Sequence, residues 1–168
     1  MNRYNVAVMV HNQFGVLNRL TSMFRRRQFN ISSITASETE SGEYSRITFS
    51  FDGEEENKQQ LINQLYKLPD VCSIRELTSE NSVSCELMMI KMKNDSAARA
   101  DIYAAAEAFG AETIDYSRES FVLRLIGDST KMDDFIMLMR DFTIMEICRT
   151  GTASLEKGGA TLRQAINL

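Results

Sequence analysis

The sequence predicts an α+β protein made of two successive strand–helix–strand–strand–helix–strand units, and three observations carry that expectation. Apolar residues alternate with period two in some segments and recur at helical spacing in others. The two patterns follow one another in the same order twice. The length, 168 residues, suits two small domains, each with a thin core of its own.

In the first unit Tyr4, Val6, Val8 and Val10 alternate with Asn5, Ala7, Met9 and His11, the pattern of a strand with one strongly apolar face. After the turn His11-Asn12-Gln13-Phe14-Gly15, the residues Val16, Leu17, Leu20, Met23 and Phe24 take helical spacing. That helix should end near Arg27, where the run Arg25-Arg26-Arg27 complements the negative end of the dipole. Residues Asn30 to Ser37 read as a strand that forms a hairpin with the segment carrying Ile47, Phe49 and Phe51, across the polar turn Glu38 to Glu43. Leu61, Ile62, Leu65 and Leu68 define a helix stopped by Pro69, and Val71 to Leu77 closes the unit as a strand.

The order then begins again after the polar stretch Thr78 to Ser82. Glu86 to Lys93 is strand-like, Ala97 to Phe109 is an alanine-rich helix ended by Gly110, and Glu112 to Tyr116 with Phe121 to Ile126 make a second hairpin. Met132 to Arg140 is the last helix and Thr143 to Arg149 the last strand. Two split βαβ units of this kind imply two tandem ferredoxin-like βαββαβ sandwiches, each a four-stranded antiparallel sheet with both helices on one face. The expected boundaries are residues 1–78, 83–157 and a flexible tail 158–168 that orders on a partner. The outer face of the first sheet should carry mainly small and polar residues and stay open for pairing.

Composition narrows the function by exclusion. The net charge of −4 and a pI near 5.1 give no general attraction to nucleic acid. No apolar run approaches the ~18 residues a membrane helix needs, and the start does not resemble a leader peptide, so a cytoplasmic location is expected. The 3 cysteines, Cys72, Cys85 and Cys148, lack C-x-x-C spacing, which points to reduced, mostly structural thiols rather than disulfides or zinc. His11 is the only histidine, and the phosphate, dinucleotide, zinc and calcium motifs with clear mechanics are missing. The acidic clusters Glu54-Glu55-Glu56 and Asp133-Asp134 fall at expected helix starts, where carboxylates favour the positive dipole end. No catalytic residue, metal site or cofactor site is therefore expected on this chain.

One segment asks for a ligand. A helix beginning after Gly15 presents unpaired backbone N–H groups to an anion, and a glycine there lets a ligand approach the main chain. Asparagine offers both an acceptor and a donor, so Asn12 and Asn30 suit the two ends of a zwitterion. The same residues also satisfy ordinary turn and strand-start chemistry. The pattern alone leaves both readings open.

The stretches His11 to Leu20, Phe29 to Thr35 and Ser45 to Thr48, continued by Glu86 to Lys93, Ile114 to Tyr116 and Arg149 to Gly151, resemble the ACT-domain regulatory subunits of acetolactate synthase, also called acetohydroxyacid synthase. The resemblance implies an N-terminal ACT domain in a homodimer, with valine or another branched-chain amino acid bound between two copies. Asn12, Gly15, Val16 and Leu17 of one copy would meet Asn30 and Ile31 of the other. It also implies a catalytic large subunit as partner, which would hold the thiamine diphosphate, FAD and magnesium. This chain would activate that partner and confer feedback inhibition by valine. Family members commonly carry an acid where His11 stands and a proline or serine where Phe14 stands, which implies retuned effector binding. Two rivals are a free-standing tandem amino-acid sensor and an acylphosphatase-like hydrolase, the latter from the echo Gly15-Val16-x-x-Arg19 of a phosphate loop. The sequence lacks that hydrolase family's glycine at position 11 and its downstream asparagine motif.

Overall fold

Strand β1 (Asn2–His11) puts Val6, Val8 and Val10 on one face and Ala7 and Met9 on the other. The alternation read from the sequence is therefore a sheet buried on both sides. In the computed structural model, which describes residues 2–165, the chain divides into two compact units. One comprises residues 1–84 with 151–168, the other Cys85–Thr150.

In the first unit β1 is followed by α1 (Val16–Arg26), β2 (Ile31–Glu38), β3 (Tyr44–Gly53), α2 (Glu55–Leu65) and β4 (Val71–Leu77). The strands form an antiparallel sheet in the order β2-β3-β1-β4. Both helices lie on one face: Val16, Leu20, Met23 and Phe24 of α1 and Leu61 and Leu65 of α2 pack with Val8, Phe49 and Ile74 of the sheet. Arg25 and Arg26 occupy the last turn of α1 as expected. Helix α2 stops three residues short of Leu68, which lies in the turn leading to Pro69. Lys58 of α2 is buried; its ammonium sits 2.6 Å from Glu55, 2.8 Å from Glu76 on β4 and 5.0 Å over the Tyr4 ring. Those two carboxylates raise its pKa above the ordinary lysine value, Glu55 first.

The outer face of this sheet corrects the expectation of an open surface. Thr48, Ser50 and Ser73 are small and polar as foreseen, yet they are buried, as are Ala7, Met9 and Leu77. The chain's own C-terminal segment belongs to this unit. A short strand, β9 (Ala153–Glu156), pairs with the start of β5 (Ser82–Lys93), and a short 3₁₀ helix follows at Leu162–Ala165. Leu162 is fully buried against Ala7, Met9 and Leu77, and its carbonyl accepts a 2.8 Å bond from the Ser73 hydroxyl. Gly151 starts the segment at φ 77°, and a Cβ there would stand 2.8 Å from that of Ser33 on β2. Only glycine combines that backbone with that proximity. The second unit ends at Thr150 and not at 157; of the expected tail Leu162 is buried while 158–161 and 163–164 are exposed, and 166–168 lie outside the described residues.

The second unit contains the rest of β5, α3 (Arg99–Phe109), β6 (Glu112–Tyr116), β7 (Ser120–Gly127), α4 (Ser129–Met139) and β8 (Ile144–Arg149). Its strands run β6-β7-β5-β8. Met88, Ile90 and Met92 stand opposite Leu125, Leu123 and Phe121, and Ile102, Ala106, Met132, Phe135 and Met139 close the core from the helices. Helix α4 starts earlier than its apolar pattern indicated, because Asp128 caps it by accepting a 2.8 Å bond from the Lys131 N–H. Asp133 is therefore within the helix and not at its start. Instead of facing a dipole it pairs at 2.6 Å with Arg149, which also bonds the buried Glu86. The repeat of βαββαβ topology follows the sequence reading.

Candidate functional site

The turn from β1 to α1 is held by main-chain bonds. The N–H of His11 donates to Asp70, that of Asn12 to Glu43 and that of Gln13 back to His11. Gly15 then takes a left-handed conformation, φ 82°, as the N-cap of α1. No side chain caps this helix and its first turn holds no acid, so the positive end of the dipole is not neutralised locally. Phe14 is fully exposed beside it and Leu17 is half exposed, whereas Val16 points into the core. Val16 can therefore meet a ligand only through its main chain.

Asn12 is already half committed. Its Nδ2 donates to Glu38 Oε1 and to the Gly42 carbonyl, both at 3.1 Å, tying the turn to the β2–β3 hairpin. The side-chain carbonyl is the atom left for a ligand's ammonium, while Gly15 and Leu17 offer N–H groups to a carboxylate and the Val16 N–H, now donating to the Gln13 carbonyl at 3.4 Å, would have to be shared with it. Glu38 was not among the residues singled out from the sequence. Twenty-six positions separate it from Asn12, and no local spacing signals that pair.

Within one chain the structure does not bring the two halves of the expected set together. Ile31 stands opposite Phe51 on β3, while His11 stands opposite Tyr44. Seven residues of β3 separate those levels, about 24 Å at the usual strand rise of ~3.4 Å per residue. Asn30 and Ile31 therefore lie at one end of the sheet and the turn at the other. Asn30 is exposed, and Ile31 is half-buried against the first core. Strand β2, which Ile31 begins, is an edge of this sheet.

Other candidates have plain structural roles. The His11 ring packs 5.3 Å from that of Tyr44. Arg19, the cation of the phosphate-loop echo, is held by both oxygens of Asp70 at 2.6 and 2.9 Å, which occupies it with a carboxylate. Glu54 is the N-cap of α2, and Glu55 and Glu56 stand in its first turn. Cys72 is partly buried, which pushes its thiol pKa up. Cys85 and Cys148 are exposed, against the expectation of mostly structural thiols. Among the described residues no three His, Cys, Asp or Glu side chains converge to hold a metal ion, and no helix is long and apolar enough to cross a membrane.

Two family models match the chain. One describes the small-subunit-like ACT domain of acetohydroxyacid synthase and matches residues 6–73; the other describes the small subunit of acetolactate synthase and matches residues 85–158. An acetolactate synthase small subunit of Bacillus subtilis is 40% identical over 154 residues, 91% of this chain and 90% of that protein. A probable acetolactate synthase small subunit of Archaeoglobus fulgidus is 38% identical over 156 residues, 93% of this chain and 98% of that one. The crystal structure of the Thermotoga maritima small subunit superposes with a TM-score of 0.84 at 32% identity, covering 95% of this chain and all of that one.

Proposed function

Because the chain belongs to the acetolactate synthase small-subunit family, whose ACT domains are regulatory, we propose that it activates a catalytic large subunit and makes it sensitive to valine. The observation that carries the effector reading is the separation of Asn30 and Ile31 from the Asn12–Leu17 turn along an edge strand. Antiparallel pairing of β2 with β2 of a second copy, about an axis near Ile34 and Thr35, sets Ile31 of one copy opposite Glu38 of the other. Glu38 holds Asn12. Such a homodimer therefore closes two equivalent sites, each built from both copies.

In each site the valine carboxylate sits on the main-chain N–H groups of Gly15 to Leu17. Its ammonium meets the Asn12 carbonyl, and Asn30 and Ile31 of the second copy enclose the side chain. The catalytic chemistry, with thiamine diphosphate, FAD and magnesium, belongs to the large subunit, in the cytoplasm. Valine inhibits by binding preferentially to the dimer arrangement that activates less.

Adding the purified chain to its cognate large subunit, with and without valine, leucine and isoleucine, tests this directly. Activation that valine reverses is expected, and an unchanged rate would overturn the subunit assignment. Linkage also requires the large subunit to weaken valine binding by the factor by which valine weakens activation-competent association. Equal calorimetric affinities with and without the large subunit would remove the allosteric mechanism.

A further inference from the structure

The outer face of the first sheet and the C-terminal segment border a half-open cleft of about 560 Å³, within the ~300–1,000 Å³ range of small-molecule sites. Its floor is a row of register partners: Met9 on β1, Arg46 on β3 and Ser37 on β2. Leu155 and Leu162 add apolar wall. Arg46 donates from Nη2 to the Ser154 carbonyl at 2.7 Å and to Glu156 at 3.3 Å, and its buried Nε–H has no hydrogen-bond partner. The other oxygen of Glu156 lies 4.0 Å from Arg75. One carboxylate thus faces two guanidiniums, and the Glu156 side chain is only 4% exposed. The trio keeps one net positive charge beside a space whose lining sets Met9, Leu155, Ala160 and Leu162 against the polar and charged residues of the β2 end and the C-terminal segment.

We propose that this cavity is a second small-molecule site, which takes a short amphipathic carboxylic acid with its carboxylate on Arg46 and its hydrocarbon end against Met9, Leu155 and Leu162. A planar guanidinium is matched to a carboxylate and can hold it by two charge-assisted hydrogen bonds. Two further carboxylates line the cavity. Glu38 accepts from Asn12, and Glu40 lies 3.5 Å from Arg163. They repel a multiply charged anion such as phosphate more than a monoanion. The site is separate from the effector turn but shares Glu38 with it, so a ligand that shifts Glu38 also shifts the support of Asn12.

The test follows methionine methyl resonances of the full-length chain during titration with isovalerate, isovaleramide and inorganic phosphate, with the Met9 signal assigned from Met9→Leu. Isovalerate should move the Met9 methyl saturably, while the amide and phosphate leave it in place. Arg46→Gln should weaken the response by about tenfold, the loss of one charge-assisted contact. Because Arg46 also anchors the C-terminal segment, Leu155→Trp serves as the second variant: Leu155 is 60% exposed, so the indole fills the cavity without entering the core and should abolish the shift. No saturable shift up to about 20 mM isovalerate, a level that reveals any Kd in the millimolar range, overturns the proposal. So does an equal response to the amide, or a response that survives Leu155→Trp. Gly15→Asp separates this site from the valine site: the Met9 shift should persist in that variant, and its loss would place isovalerate at the turn and leave the cavity without a ligand.

Discussion

The first turn of each unit is built on one template and finished in two ways. In the first unit the N–H groups of His11, Asn12 and Gln13 bond Asp70, Glu43 and His11; in the second, those of Lys93, Asn94 and Asp95 bond Thr143, Glu119 and Lys93. The asparagine amide donates to the neighbouring hairpin in both, to Gly42 from Asn12 and to Ser117 from Asn94. The copies then diverge. Asn94 Oδ1 accepts from Arg99 at 2.7 Å and Asp95 accepts the Ala97 N–H at 3.0 Å, so the second turn satisfies itself and carries its own anion. In the first, Gly15 replaces such a cap, Arg19 is drawn away to Asp70, and no acid enters the helix start. A shared backbone pattern is therefore left with an uncapped helix start in the first unit, the feature on which the proposed effector seat rests, and the asparagine at its head is a structural residue first.

The largest effect is expected where the omission is reversed at its centre. Gly15→Asp puts a carboxylate in the seat and a side chain at φ 82°, costing about 1–2 kcal/mol of local strain. Valine affinity measured by calorimetry should fall by at least about 100-fold, near 2.7 kcal/mol, while activation of the large subunit persists. Binding within tenfold of the parent would show that the turn is not the seat.

The outer faces of the two sheets extend the contrast. The first is sealed by Leu162, whereas Met89, Lys91 and Val122 remain part-exposed on the second. Leu162→Ala should lower unfolding free energy in urea by about 2–3 kcal/mol, the usual range for truncating a buried leucine. A loss under about 0.5 kcal/mol, the range of an ordinary surface change, would mean that the segment rests on the sheet without stabilising it.

Paired asparagine variants sharpen the comparison further. Asn12→Ala and Asn94→Ala each remove two hydrogen bonds, so both should destabilise by about 1–2 kcal/mol. Only Asn12→Ala should also abolish valine inhibition. An equal loss of inhibition in both would shift the effector away from the first turn. The smallest effect belongs to Gln13→Asp, which copies Asp95 into the first unit. It should stabilise by about 0.5–1 kcal/mol as a new cap and weaken valine binding by roughly five- to tenfold, a cost of about 1 kcal/mol. Tighter valine binding in that variant would contradict an anion seat.

Much of this architecture is legible in the sequence because the two cores obey simple periods. Val6, Val8 and Val10 alternate, and Leu20, Met23 and Phe24 share a helical face, so the strands and helices of both units emerge in order. Gly15 and the turn around it are equally visible. What stays hidden depends on long-range partners. Glu38 reaches Asn12 across a sheet, Arg149 pairs with Glu86 and Asp133, and Leu162 finds a niche on β1 and β4. The polar outer residues Thr48, Ser50 and Ser73 suggest a solvated face, since a hydroxyl that bonds to a returning segment, as Ser73 does to Leu162, and one that bonds to water read alike. The expected sharing of effector residues between copies came from the family resemblance, and the proposed dimer site rests on the placement of Ile31 and His11 opposite Phe51 and Tyr44, at the two ends of β3.

Gly151 marks the place where the chain turns back to its first unit, and that return imposes an order on biosynthesis. A ribosome releases β1 to β4 and both of their helices well before it has made the strand and turn that seal their outer face. The segment Cys85–Thr150 emerges in between, which takes about 3–13 s at the usual ~5–20 residues per second. Throughout that interval Ala7, Met9 and Leu77 lack the Leu162 side chain that covers them in the folded unit, so of these two units the one translated earlier is the one finished later.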